Sequence, residues 1–149
     1  MVNPKVRSSE YIKVLGVIDP DANTAAAYST GYVNAGNWTR LLAIVFAGTL
    51  GTSATLDAKL EQASAAGGTG VKDVTGKAIT QLTEAGTDSD KQAIINLDPN
   101  ELDINNGFEF VRLTMTVGTA TSDSGAVLIG IGPRNSSVAD ATTVDEIVS

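Results

Sequence analysis

The chain contains no cysteine and no histidine. The first absence removes disulfides, thiolate metal sites and cysteine nucleophiles, and the second removes His-based zinc sites and every Ser-His-Asp arrangement. Aromatic residues are few, with three Phe, three Tyr and one Trp. That scarcity counts against a sugar site, which needs exposed rings as a platform. Basic residues are also short: ten Lys and Arg face seventeen Asp and Glu, for a formal charge of −7. Phosphate binding rests on Lys and Arg releasing counterions, so nucleic acid is not an expected partner. Long hydrophobic runs are missing too. The N-terminus MVNPKVRSSEY carries no apolar signal region, and the longest apolar run, Leu41 to Ala47, is too short for a bilayer. The expectation is a soluble chain with no membrane partner and no classical secretory signal.

What is present is rich in small and β-favouring residues, in 149 residues that fit one domain. Turn signals recur every 8 to 15 residues, as they do in a sandwich or barrel. Asp19-Pro20-Asp21 opens the folded part, and Ala25 to Val33 reads as a strand with a bulge at Gly31. Arg40 to Ala47 (RLLAIVFA) is apolar on both faces, so it belongs at the centre of a sheet or under another chain. Ala54 to Gln62 has helix-favouring residues but a complete period of two, and its neighbours are strands, so it reads as a strand. Ile79 to Leu82, Lys91 to Leu97, Phe108 to Val117 and Gly125 to Gly132 complete the set. Asp98-Pro99-Asn100 and Asn105-Asn106-Gly107 mark turns. Phe108 and Phe110 sit on the opposite parity to Val111, Leu113, Met115 and Val117, which implies a bulge near Phe110 or an aromatic patch on the wet face.

Two packed antiparallel sheets bury such strands, so the predicted fold is all-β, a jelly-roll-like antiparallel β-sandwich spanning residues 19–134. Residues 1–18 and 135–149 read as extended N- and C-terminal arms. Each arm holds a short apolar motif in polar sequence: Tyr11, Ile12, Val14 and Leu15 at one end, and Val144, Ile147 and Val148 at the other. Arms of this kind commonly order on a surface, which makes those residues the candidate partner-binding set.

Chemistry-bearing motifs are weak. In GGTGVKDVTGKAIT (Gly67 to Thr80), aligning a phosphate loop on Gly76-Lys77 puts Val71 where the first glycine belongs and Ala78 where the hydroxyl belongs. The stretch reads as a flexible connection between strands. Asp19, Asp21 and Asn23 have the spacing of a calcium loop's first ligands, but Thr24 and Thr30 stand where its glycine and glutamate are required. Asp98, Glu101 and Asp103 have the donor type to gather a cation in a loop, but Asp98-Pro99-Asn100 is itself an ordinary turn. Trp38, at a strand start, reads as a core or sheet-edge anchor. No catalytic residue, cofactor or metal is expected, and the chain does not read as an enzyme.

LDAKLEQA (Leu56 to Ala63), GTGVKDVTGKAITQLT (Gly68 to Thr83), ELDINNGFEFVRLTMTVG (Glu101 to Gly118), GAVLIG (Gly125 to Gly130) and the terminal VDEIVS together cover roughly the last two-thirds of the chain. In these segments the sequence resembles small virion proteins of tailed bacteriophages encoded beside the major capsid protein. The resemblance implies a jelly-roll cement or decoration protein, made in the bacterial host cytoplasm. It implies a homotrimer bound to the major capsid protein on the outer capsid surface, acting by binding energy alone. A carbohydrate-binding or receptor-binding fibre-like domain of a virion is the alternative.

Overall fold

The structure is a computed structural model that describes residues 5–135 and 138–148. Residues 1–4 of the expected N-terminal arm, and 136, 137 and 149 of the C-terminal one, lie outside the described residues. Among the described residues one α-helix of four residues, α1 (Ser8–Tyr11), precedes ten strands. These are β1 (Ile12–Asn23), β2 (Ala26–Ser29), β3 (Val33–Asn34), β4 (Trp38–Ala47), β5 (Thr55–Ala63), β6 (Lys72–Ala78), β7 (Leu82–Thr83), β8 (Gln92–Leu97), β9 (Phe110–Gly118) and β10 (Ser122–Pro133). Among the described residues no helix is long and apolar enough to cross a membrane.

Sheet 1 has the order β1-β10-β4-β8, and sheet 2 has the order β2-β9-β5-β6, with β3 on β9 and β7 on β5. Every pairing is antiparallel. Without the two-residue strands β3 and β7, two four-stranded layers remain, and β10 inserts between β1 and β4. This interleaving of early and late strands across two sheets is a jelly roll.

Period-two alternation builds the core. Leu41, Ala43, Val45 and Ala47 of β4 point inward with Ala126 and Leu128 of β10 and Ile95 and Leu97 of β8. Opposite them lie Leu56, Ala58 and Leu60 of β5 and Val111, Leu113, Met115 and Val117 of β9. Trp38 is buried, as its position at a strand start suggests, and its ring lies over Gly130 of β10. A Cβ at Gly130 would come closer than 3.0 Å to the indole.

Several sequence expectations are corrected. The boundary drawn at residue 18 cuts through β1: Ile12 to Ile18 pairs with Ile131 to Ala126 and is part of sheet 1. The regular alternation that would reveal it is broken by register shifts between Val14 and Gly16 and between Ile18 and Asp21, so Pro20 sits at an irregularity and does not end the strand. The glycine-rich stretch is not merely a flexible connection, because it contains edge strand β6 with Val74 buried. Gly76 takes φ of 74° there, a left-handed value that a glycine adopts without strain. The strand expected over Ile79 to Leu82 reduces to β7, and the one over Ala25 to Val33 splits into β2 and β3. Phe108 precedes β9 instead of lying in it; its ring sits 3.9 Å from the Lys72 ammonium.

Gly130→Ala is expected to destabilise the fold by about 1–3 kcal/mol, because Trp38 or the β4–β10 register must shift to admit the methyl group. Gly67→Ala, where a Cβ meets nothing within 4 Å, should stay within about 0.5 kcal/mol of wild type. Urea unfolding of both variants checks the contrast.

Candidate functional site

The two sheets differ on their outward faces. On sheet 2 the outward positions of β5 and β9 are mostly polar, with Phe110 the exception at the start of β9, and their side chains bond to one another and to neighbouring strands and loops. The Glu61 carboxylate accepts hydrogen bonds from Arg112 Nε at 2.8 Å and from Thr114 Oγ1 at 2.7 Å, while Lys59 Nζ lies 2.6 Å from Asp73. Ser29 and Thr114 hydroxyls share a hydrogen bond of 2.8 Å, and Gln81 donates to Asp57. The Arg112 guanidinium lies 4.9 Å from the centre of the Tyr32 ring. Among the described residues the buried Tyr32 hydroxyl has no hydrogen-bond partner.

Burial pushes the Glu61 carboxyl up, but hydrogen bonds from Thr114 and Arg112, with the nearby positive charge, outweigh it and hold it below its ordinary value. Asp88 is lowered chiefly by Lys91, Glu101 by Lys77 and Asp103 by Lys72. These pairs use the carboxylates once considered for metal work. Asp98 meets Arg40 at 3.1 Å and caps the turn at Asn100, Glu101 meets Lys77 at 2.8 Å, and Asp103 meets Lys72. In the other candidate loop, Asn23 is buried and its amide donates to the Ser124 carbonyl at 2.8 Å. Among the described residues no group of three or more Asp or Glu is placed to hold a metal ion. Lys77 and Gly76 lie on β6, so the glycine motif does not form a strand-to-helix phosphate loop.

Sheet 1 presents the opposite surface. The residues of β4 that alternate with its core positions are Leu42, Ile44 and Phe46. Register places Ile129, Val127 and Gly125 of β10 beside them, and Asn96, Ile94 and Gln92 of β8 on the other side. Across β10, Val14 pairs with Ile129, Val17 with Val127 and Ile12 with Ile131. The result is a continuous apolar field across all four strands. Ile94 is 60 % exposed, Phe46 45 %, Ile12 41 % and Val17 40 %. Among the described residues no second layer covers this face; α1 sits at one end, with the Tyr11 hydroxyl near Gly132. Single exposed hydrophobics are ordinary, but a contiguous field of them marks an interaction surface.

At the opposite end of the field, Phe46 and Gly125 help to line an open cleft of about 580 Å³. Pro20 and the carboxylate-bearing Asp21, Asp90 and Asp123 complete its rim. Asp21 accepts only the adjacent Ala22 N–H, at 2.7 Å. Among the described residues the carboxylates of Asp90 and Asp123 meet neither a cation nor a hydrogen-bond donor.

The predicted partner-binding residues divide. Ile12 and Val14 lie on the outward face of sheet 1, next to Tyr11 at its edge, whereas Leu15 occupies the irregular position in β1 and packs against the core. Val144, Ile147 and Val148 belong to a segment without strand or helix whose start is fastened to the β1 edge. Val14 N–H donates to Asp140 Oδ1 at 2.8 Å, Ala141 N–H donates to the Val14 carbonyl at 2.7 Å, and Lys13 meets Asp140 at 3.1 Å. Ile147 and Val148 remain exposed. Phe46, Ile44, Ile94, Val127 and Ile129 were not on the sequence-derived list. The signal for all but Ile94 was the missing alternation of RLLAIVFA and GAVLIGIG.

Tyr32→Phe is expected to be neutral or stabilising by up to about 1 kcal/mol, since it removes a buried hydroxyl that has no partner. Glu61→Gln should cost about 1–3 kcal/mol at pH 7 by leaving Arg112 without its anion. A carboxyl held below its unfolded value stabilises the fold above that value, about 4.3, and loses the contribution as pH falls through the lower folded one. Thermal melts should therefore show wild-type stability declining on acidification below about pH 4.5, and a shallower decline for Glu61→Gln.

No family model matches the chain, and no curated protein matches it. Among solved structures, a chain of Broad Bean Stain Virus is similar at 16 % identity and a TM-score of 0.39, over 85 % of this chain and 66 % of that one. A chain of the empty virus-like particle of Cowpea Mosaic Virus is similar at 13 % identity and a TM-score of 0.37, over 74 % of this chain and 55 % of that one. The coat protein of Tobacco streak virus is similar at 9 % identity and a TM-score of 0.38, over 89 % of this chain and 92 % of that one. The chain thus spans about two thirds of the first and just over half of the second. Likeness at this level says nothing of activity.

Proposed function

We propose that this chain is a non-enzymatic structural protein of a bacteriophage virion, which binds the outer surface of the shell and bridges neighbouring major capsid subunits. The observation that carries the reading is the uncovered apolar face of sheet 1 on a domain whose other face is polar and internally paired. Such a two-sided domain has one orientation at an interface: sheet 1 against the partner, sheet 2 toward water. The resemblance to capsid cement proteins supplies the kind of partner, and the negative formal charge suits a surface away from packaged DNA.

Binding across a subunit boundary favours the spacing of subunits that both contacts fit, so a bridging protein stabilises that state of the shell by its differential affinity. Assembly as a homotrimer would multiply the contacts. Within this reading the segments holding Ile12 and Val14, and Ile147 and Val148, extend the apolar field beyond the centre of the sheet.

The test uses capsids stripped of the protein and the full chain added back. Ile44→Asp and Ile94→Asp each place a charge in the field without touching the core. Each is expected to leave the melting temperature within a few degrees of wild type and to weaken retention on capsids about ten- to hundred-fold, as expected for losing the burial of one large aliphatic side chain. Asp57→Asn on the outward face of sheet 2 should bind as wild type does. Absence of wild-type binding, or undiminished binding by both sheet 1 variants, would overturn the reading.

A further inference from the structure

We propose that the outer face of sheet 1 docks a protein surface that is apolar at its centre and carries Lys or Arg side chains into the cleft beside Phe46. This rests on the reading of sheet 1 as the capsid-facing side and specifies the chemistry of the capsid surface opposite it. Three features converge at one end of the apolar field. The cleft is open and about 580 Å³ in volume, enough to admit a long side chain. Its apolar lining comes from Phe46, 45 % exposed, and from Pro20, which packs over Gly125. Its rim carries Asp21, Asp90 and Asp123, and among the described residues no cation neutralises any of them.

That last feature sets these carboxylates apart. Among the described residues seven of the ten Lys and Arg are in ion pairs elsewhere, and none of those pairs involves the three rim carboxylates beside the apolar surface. A Lys or Arg stem can lie on the Phe46 ring while its head meets the carboxylates, which matches both halves of the cleft. A second copy of this chain is a poor occupant for the same reason, because it has few cations left to offer. A nucleic acid backbone would be repelled by the rim.

The triple variant Asp21→Asn, Asp90→Asn, Asp123→Asn removes the charge and keeps the shape. On stripped capsids the wild type should lose affinity steeply as salt rises, whereas the triple variant should bind about ten-fold or more weakly at low salt and respond little to added salt. Equal affinity and equal salt response, with Ile44→Asp still defective, would overturn the cationic partner while leaving the capsid reading intact. A second measurement needs no capsid. Two fluorescent peptides, one alternating Leu and Lys and one alternating Leu and Glu, are titrated against the free protein. The Leu-Lys peptide should bind at least about ten-fold more tightly, and only to protein with the three aspartates. Equal binding of both peptides overturns the proposal even if capsid binding itself is absent. So does sedimentation showing that wild type self-associates through this face and that Ile94→Asp makes it monomeric.

Discussion

Sheet 1 carries apolar side chains on both faces, and the described chain supplies a covering layer for only one. Leu41, Ala43 and Val45 meet sheet 2, while Leu42, Ile44 and Phe46, one residue along in each case, lie on the opposite face, the first two half-buried and Phe46 exposed. A strand with that pattern is at home only where both faces are dry. The rest of the molecule is arranged around this imbalance. Sheet 2 closes the core from one side and turns an ion-paired surface outward, and the loops at the end of sheet 1 hold their carboxylates beside the exposed field. The imbalance makes sense as half of an interface.

Charge is distributed to the same effect. On the outer side of sheet 2 and its loops, exposed carboxylates are accompanied by lysines, Asp73 by Lys59 and Asp103 by Lys72. Exposed pairs of this kind contribute little to stability individually. They do make the surface electrically quiet. Around Phe46 the pairing stops, and electrostatics there can favour a partner of one sign and discourage one of the other.

Much of this architecture was legible in the sequence. The two-sided runs of β4 and β10 and the alternation of β5 and β9 placed the sandwich, and the period of two in LDAKLEQ correctly outweighed its helix-favouring composition, since burial of Leu56 and Leu60 against the opposite sheet overrides propensity. What was hidden had local causes. β1 was concealed because an extra residue at Leu15 and an irregularity at Pro20 interrupt its pattern, so a sheet strand looked like an arm. β6 was concealed because an edge strand needs little apolar sequence; Val74 alone is buried. The apolar field could be anticipated from RLLAIVFA but not assembled, because its width depends on the register that brings β1, β10, β4 and β8 side by side. The cleft at Phe46 joins residues from four separate parts of the chain, and no local pattern announces such a meeting.

The position of β10 bears on how the protein reaches its folded state. β1 and β4 precede β10 in the sequence and do not pair with each other; before β10 fills the gap between them, β1 has no partner in sheet 1 and β4 has only β8. Until then the apolar strands of sheet 1 have open backbone edges, the condition under which chains pair with the wrong partner. Long-range pairing of this sort is also slow, because distant segments must be brought together before any contact rewards the closure. Insertion of β10 completes the sheet and its outward face together, because Val127 and Ile129 lie between the outward residues of β1 and β4.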